Sequence, residues 1–220
     1  MPRLLRSCLA LLASALLLVP PSFGFNTPLS DQAVREAYFL GQRHDESMAR
    51  LLNRYTRFLP APPTGPHIYS VSFLTPFALL VKYSSRQLDY SAQRAALDHK
   101  SREEVVEISI EILLTQSYGP FITTPTSSRS GSPLGYQFRP SDFWRSFKFR
   151  IFDGAEEITT EDLTGEPTYF CAYKGVCQLT GANVHFQFPA TAFTSDSATI
   201  DVAPPEGDPV SVDFDLTRLR

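Results

Sequence analysis

Hydrophobic and polar positions alternate along much of the chain after residue 66. The clearest case is residues 104–115, where Val106, Ile108, Ile110 and Ile112 are separated by polar residues. Because successive side chains of a strand point to opposite faces, this pattern predicts a half-buried strand. Further strands are predicted at residues 67–75, 77–83, 144–152, 168–173, 176–179, 183–188, 198–202 and 209–216.

Before residue 60 the apolar positions follow a helical period instead. Ser30 is a typical N-cap residue with Asp31 just inside the helix, and a second helix is expected from near Asp45 to just before Pro60. The apolar positions are Val34, Ala37, Tyr38 and Gly41 in the first helix and Met48, Leu51, Leu52 and Tyr55 in the second. Two short helices cannot bury such a side between themselves, so we expect this hairpin to dock on the strands.

Short strands separated by turn residues indicate a mainly β protein rather than βαβ units. We therefore expect an antiparallel β-sandwich of immunoglobulin-like architecture with an N-terminal α-helical hairpin. The predicted boundaries are a signal peptide at 1–24, the hairpin at 25–59, a proline-rich linker at 60–66 and the sandwich at 67–220. Within the sandwich, residues 91–102 predict a surface helix and residues 117–140 a long loop.

Residues 1–24 have the order of a secretory signal peptide. Arg3 and Arg6 form a positive start, residues 8–19 form an apolar run, and small residues precede Phe25. The run is shorter than the ~20 residues of a membrane-spanning helix, so we expect no transmembrane segment in the mature chain. The mature protein is expected to be exported, either periplasmic or secreted. A retained signal anchor is the alternative.

Export makes Cys171 and Cys177 candidates for a disulfide. Lys174 and Gly175 between them are turn-forming residues, so the segment predicts a hairpin tip with the two cysteines facing each other. A redox-active pair is the alternative, but catalytic pairs usually occur as Cys-x-x-Cys at the start of a helix. We expect a structural disulfide.

Charge is distributed unevenly along the mature chain. Residues 25–152 contain fifteen basic and eleven acidic residues (+4), whereas residues 153–220 contain three basic and twelve acidic ones (−9). This asymmetry indicates that the two halves attract each other or face different partners. It does not favour a nucleic-acid partner, which requires a basic surface.

The candidate chemistry is sparse. The histidines are His44, His67, His99 and His185, and none has a second ligand at metal-binding spacing. Carboxylates cluster at Glu156, Glu157, Glu161 and Asp162, and paired acids hydrolyse glycosides when a cleft separates them suitably. Asp213 and Asp215 share one face of the last predicted strand, where carboxylates favour calcium, although the chain has no Asp-x-Asp-x-Asp-Gly loop.

Two groups of residues are candidates for binding. Four aromatic residues lie close together in sequence, and exposed rings of this kind anchor interfaces or stack on sugars. Three arginines at helical spacing form a basic stripe opposite the apolar side of the second helix, which favours an anionic partner. The aromatic residues are Tyr136, Phe138, Phe143 and Trp144, and the arginines are Arg50, Arg54 and Arg57. The alternatives are that the rings cap the core and that the stripe is solvated.

Three segments resemble an uncharacterised family of exported bacterial proteins. They are residues 37–43 (AYFLGQR), 54–60 (RYTRFLP) and 90–94 (YSAQR). The resemblance covers most of the mature chain and implies no activity, cofactor or site residue.

The sequence therefore predicts an exported, non-enzymatic β-sandwich module that binds a ligand or has a structural role in the envelope. We expect no cofactor and no metal, and the expected partner is an envelope protein or a glycan. Two alternatives remain: an extracytoplasmic glycan hydrolase that uses paired carboxylates near Glu157, and a calcium-stabilised, adhesion-like domain that uses Asp213 and Asp215.

Overall fold

The computed structural model describes residues 24–87, 89–125, 134–172, 175 and 177–220. The α-helices in this part are α1 (Asp31–Gln42), α2 (Glu46–Arg54), α3 (Pro76–Arg86) and α4 (Ala92–Lys100). The strands are β1 (Thr56–Phe58), β2 (His67–Leu74), β3 (Val105–Leu113), β4 (Phe121–Pro125), β5 (Leu134–Phe138), β6 (Lys148–Asp153), β7 (Glu156–Ile158), β8 (Leu163–Cys171), β9 (Cys177–Pro189), β10 (Ser197–Ala203) and β11 (Val210–Asp215). The protein is mainly β.

The strands form antiparallel sheets. A five-stranded sheet has the order β1-β2-β3-β9-β8, a four-stranded sheet has the order β11-β10-β6-β7, and β4 pairs with β5. In the larger sheet the register places Ile108 of β3 between Phe73 of β2 and Phe186 of β9.

The two larger sheets share one hydrophobic core. Alternate residues of β3 from Val106 to Ile112 are fully buried, as the sequence pattern predicts. They belong to the same cluster as Ile200 and Val202 of β10 and Phe214 of β11. Because burial of a large apolar side chain is worth roughly 1.5–3 kcal/mol, this cluster is the main stabilising element of the fold.

A helical layer with its own small core adjoins the sheets. Ala33, Val34 and Ala37 of α1 pack against Phe77 and Val81 of α3 and against Ala95 of α4. The helices α1 and α3 come close at Gly41, where a Cβ atom would lie 2.4 Å from the Val81 carbonyl oxygen. Both predicted N-terminal helices are present. However, α1 makes most of its contacts with α3 and α4 and few with α2, so a self-contained hairpin is not confirmed.

The prediction of a strand at residues 77–83 is wrong, because these residues belong to α3. The Thr75 hydroxyl caps the helix by accepting a hydrogen bond from the Ala78 backbone N–H, and Pro76 occupies the first turn, where its missing N–H costs nothing. The apolar residues of this segment satisfy both a period of two and a helical period. The cap and the proline therefore decide its conformation.

Other boundaries also differ from the prediction. The predicted loop at 117–140 contains β4 and β5, and the predicted strand at 144–152 begins instead with a 3₁₀ helix, Phe143–Ser146. The predicted strands at 176–179 and 183–188 are parts of the single strand β9. The predicted surface helix at 91–102 is confirmed as α4.

The described chain is part of the fold from its first residues. Phe25 is 4% exposed, and its ring lies 6.2 Å from that of Phe73. Glu104 accepts hydrogen bonds from the Thr27 hydroxyl and from the Leu29 backbone N–H, both at 2.6 Å. The predicted leader lies almost wholly outside the described residues. Within those residues, no helix has the length and apolar character needed to cross a bilayer.

The proline-rich segment 60–66 is attached to the loop that follows β3. The Gly65 backbone N–H donates to the Ser117 hydroxyl at 2.9 Å, and the Thr115 hydroxyl donates to the Gly65 carbonyl oxygen at 2.6 Å. Gly65 has a φ of 84°, in the left-handed region that favours glycine.

Candidate functional site

One side of the five-stranded sheet carries polar side chains in ordered rows, and we call it the polar face. Because the strands pair in register, residues from all five strands lie side by side. One row contains Thr56, Ser72, Ser109, His185 and Thr164; the next contains Phe58, Ser70, Glu111, Asn183 and Glu166. Most of these side chains are half-buried or exposed, so the face presents hydroxyl, amide, imidazole and carboxylate groups.

A charged cluster lies at the end of the polar face nearest the helices. Glu107 of β3 accepts a hydrogen bond from Lys82 of α3 at 3.0 Å, and the Nδ1 atom of His185 lies 3.5 Å from the same Oε1 atom. The hydrogen bond from His185 and the charge of Lys82 outweigh the effect of burial and lower the pKa of Glu107 to about 2. Glu107 is therefore a carboxylate at every physiological pH.

A cleft of about 440 Å³ adjoins this cluster, between α3, the segment around Tyr90, and the ends of β3 and β9. Its lining includes Tyr83, Tyr90, Glu103, Glu107 and Gln187. The volume lies within the range of ~300–1,000 Å³ that is typical of small-molecule sites. Since Glu107 and Gln187 are directly paired across β3 and β9, the polar face forms one wall of the cleft.

The aromatic wall of the cleft is held in place by a chain of contacts. The rings of Tyr83 and Tyr90 lie edge to face at 5.4 Å, with 80° between their planes. The Tyr90 hydroxyl donates to Asp98 at 3.2 Å, and the Tyr38 hydroxyl donates to the Tyr90 carbonyl oxygen at 2.7 Å. Burial and the neighbouring Asp98 raise the pKa of Tyr90 to about 12, so this phenol remains protonated. Tyr83 is 37% exposed and is available to a ligand.

A second carboxylate at the cleft, Glu104, serves the fold. It accepts from Thr27 and Leu29, and His99 Nε2 lies 3.1 Å from its Oε1 atom. With both oxygens engaged, Glu104 fixes the chain before α1 to the start of β3.

Glu107 and Gln187 bring hydrogen-bonding groups to the cleft. Both contacts to Glu107 go to Oε1, and no bond from another described residue reaches its Oε2 atom. Gln187 adds an exposed amide with one donor group and one acceptor. His185 lies between Ser109 and Thr164, but none of the hydrogen bonds among the described residues joins its ring to either hydroxyl.

Two members of the predicted aromatic cluster, Phe143 and Trp144, match the alternative that the rings cap the core. Phe143 and Trp144 are 5% and 4% exposed, because the 3₁₀ helix turns both rings into the core. Phe138 is 75% exposed and pairs with Phe121 at a centroid distance of 5.0 Å. Tyr136 lies in β5, and its side chain is outside the part that the structure describes.

The predicted basic stripe is interrupted. Arg50 and Arg54 are exposed on α2, but that helix ends at Arg54, so Arg57 lies in β1. The Arg57 guanidinium donates to the Arg54 carbonyl oxygen at 3.2 Å and lies 5.1 Å from the centre of the Phe214 ring. The three side chains therefore do not share one helical face.

The clustered carboxylates do not lie in the cleft. Glu156 and Glu157 belong to the short edge strand β7, and they are exposed, as are Glu161 and Asp162. Asp213 accepts from Thr199, and Asp215 caps the turn at Thr217, so each has a partner within the chain. Across the described ranges, no group of three or more His, Cys, Asp or Glu side chains is arranged to hold a metal ion.

Cys171 and Cys177 are opposed at the end of the β8–β9 hairpin, as the sequence predicts. They are directly paired across the strands, with their Cα atoms 3.9 Å apart, an arrangement compatible with a disulfide. Gly175 has a φ of 80° and supplies the turn conformation, whereas Lys174 lies outside the described residues. A pair at an exposed hairpin end is typical of a structural cross-link rather than of a redox site.

Sequence reasoning missed the residues that line the cleft. The alternation of β3 places Glu107 on the polar side of a strand, and this signal was available. The contacts of Glu107 with Lys82 and His185 depend on the pairing of β3 with β9 and on the position of α3. Neither a protein-family model nor a curated protein matches the chain.

Proposed function

We propose that this protein is an exported, non-enzymatic binding module of the bacterial cell envelope or its surroundings. Its body is proposed to be a β-sandwich of immunoglobulin-like architecture, formed by the five-stranded and four-stranded sheets around their shared core. The N-terminal helices belong to the helical layer, and α3 of this layer forms one wall of the cleft.

The proposal of a binding function rests on one observation. The cleft brings an exposed aromatic ring, an ionised carboxylate and an amide together at the end of the polar face, through Tyr83, Glu107 and Gln187. A concave site with a few convergent polar groups is the usual form of a ligand-binding site. Since Glu107 is paired with Lys82, this carboxylate is held in place at the cleft.

Export is supported by the order of residues 1–24 and by the opposed cysteines. The burial of Phe25 agrees with a mature protein that begins near this residue. Intact-mass measurement of the protein recovered outside the cytoplasm tests this part. The expected mass corresponds to a start near Phe25; a mass that retains residues 1–24 contradicts processing.

The binding role is tested with the natively exported protein immobilised on a biosensor. The probes are soluble envelope polysaccharides, phospholipid vesicles and peptides, each recovered afterwards for chemical analysis. We expect one probe class to be retained and recovered unchanged. Retention with chemical conversion contradicts the non-enzymatic role, and retention of no probe contradicts the binding role. Phe138→Ala, which removes an exposed ring away from the cleft, is the control for non-specific adhesion.

A further inference from the structure

The cleft beside α3 has features that define a ligand class, and this inference rests on the proposed binding function. We infer that it binds a short neutral oligosaccharide, with one sugar ring packed on Tyr83 and its hydroxyl groups bound by Glu107 and Gln187.

The first argument is the pairing of donor and acceptor. Glu107 and Gln187 are direct partners across β3 and β9, so their side chains emerge next to each other on the polar face. Glu107 Oε2 has the capacity to accept a hydrogen bond, whereas the Gln187 amide has the capacity both to donate and to accept. This combination is complementary to neighbouring hydroxyl groups on a sugar ring, because each hydroxyl is both a donor and an acceptor.

The second argument is rigidity. Lys82 and His185 hold the Glu107 carboxylate through its Oε1 atom. The Gln187 backbone is also fixed, because its N–H donates to the Asp162 carbonyl oxygen at 3.1 Å and its carbonyl oxygen accepts from Thr160 at 2.7 Å. The Glu107 carboxylate and the Gln187 backbone are therefore ordered before binding, which reduces the entropy lost when a ligand binds.

The third argument is the aromatic surface. Tyr83 is held edge to face against Tyr90, which is itself held by Asp98 and Tyr38. The ring therefore presents a fixed apolar surface beside polar groups, and the C–H face of a pyranose is the complementary apolar surface.

The fourth argument is charge. Among the described residues, the lining of the cleft contains four acidic residues but only one arginine and one histidine, and Lys82 lies beside it. These residues are Asp98, Glu103, Glu104 and Glu107, with Arg102 and His99. This balance disfavours phosphate and uronate groups, which require an excess of basic residues. A neutral sugar carries no charge and is compatible with it.

The test is calorimetric titration of the natively exported protein with neutral tetrasaccharides built from glucose, mannose, galactose or N-acetylglucosamine. Oligogalacturonate and phosphatidylglycerol vesicles are the anionic counter-probes. We expect at least one neutral tetrasaccharide to bind and Tyr83→Ala to weaken it about tenfold or more. Tyr83→Phe, which keeps the ring, should bind more tightly than Tyr83→Ala, and Phe138→Ala, which lies outside the cleft, should bind like the wild type.

Gln187→Ala is the second variant, since this side chain is exposed and only the Gln187 backbone takes part in the hydrogen bonds described above, and it should also weaken binding. Thermal melting confirms that each variant is folded.

The inference is overturned if no neutral tetrasaccharide binds, or if binding is unchanged in both Tyr83→Ala and Gln187→Ala. Binding of only an anionic probe contradicts the proposed ligand class but agrees with the proposed binding function. Cleavage of a bound tetrasaccharide would support the ligand class and contradict the non-enzymatic role.

Discussion

The Tyr55 hydroxyl and the backbone of Arg220 are joined by two hydrogen bonds. The hydroxyl donates to the Arg220 carbonyl oxygen at 3.1 Å and accepts from the Arg220 N–H at 3.0 Å. Tyr55 is buried, and Thr75 also donates to the same carbonyl oxygen. These hydrogen bonds join Tyr55, which follows α2, and Thr75, which precedes α3, to the segment after β11.

We expect Tyr55→Phe to lower the free energy of unfolding by about 0.5–1.5 kcal/mol, the usual net contribution of a hydrogen bond. The substitution keeps the buried ring but removes the hydroxyl that bonds the backbone of Arg220. Urea unfolding followed by circular dichroism measures the change. Tyr69→Phe, which removes an exposed hydroxyl, is the matched control and should be neutral. Equal stability of the two variants would show that the contact contributes nothing.

Gly165→Ala should be one of the most destabilising small substitutions in the chain. A Cβ atom at Gly165 of β8 would lie 2.2 Å from the indole ring of Trp144, which is buried and cannot move without repacking the core. Overpacking of this kind costs about 1–3 kcal/mol.

Trp144 is the only tryptophan, so its fluorescence reports the change directly. Gly165→Ala should shift the native emission and lower the midpoint of unfolding. Gly119→Ala is the control, because a Cβ atom there would meet only the Thr115 carbonyl oxygen at 3.6 Å. An unchanged spectrum and midpoint in Gly165→Ala would mean that the two residues are not packed as described.

Glu107 should make stability depend on pH in acid. Its pKa is lowered from 4.5 in the unfolded chain to about 2 in the folded protein, so the folded state favours the ionised form. The resulting stability is fully present above about pH 4.5 and is lost as the pH falls towards 2.

Glu107→Gln should therefore be less stable than the wild type at neutral pH, and the difference should shrink between pH 4.5 and 2. His185→Gln removes the largest cause of the shift and should lose part of the same dependence. Thermal melting across this pH range measures both variants. A difference between wild type and Glu107→Gln that stays constant with pH would refute the assignment.

The exported protein should contain no free thiol at Cys171 and Cys177. Alkylation without reductant, followed by mass spectrometry, should leave both residues unlabelled. Because the loop between them is short, the double serine variant should lose no more than the ~3 kcal/mol expected for a 15-residue loop. Ready labelling of both thiols in the native protein contradicts the structural cross-link.

An element can be predicted from the sequence when the residues that determine its conformation lie within its own segment. The strand β3 and the helix α4 were predicted because their periodicity lies within the segments themselves. The helix α3 was missed because its apolar residues fit two periods, although Thr75 and Pro76 carried a readable helix-start signal. For Trp144 the sequence leaves binding and core packing open, because composition does not show which way a short 3₁₀ helix turns a ring.

The cleft could be predicted only in part. Glu107 is identifiable as a polar-side residue of β3, but its partner on β9 follows from a strand pairing that no local pattern specifies. The sequence pattern predicts a strand at residues 77–83, so it does not predict the position of Tyr83 beside Tyr90. A site built from residues of α3, β3 and β9 depends on tertiary packing, which local sequence patterns do not encode.

Mapping by two-dimensional NMR tests the central claim most directly. The isotopically labelled, natively exported protein is titrated with the pooled neutral tetrasaccharides, and changes in amide signals are followed. We predict changes at the Gln187 side-chain amide, at Glu107 and at residues 82–83, with few changes at Phe138. Saturation without any change around the cleft, or changes confined to β4 and β5, would contradict the assignment of this cleft as the binding site.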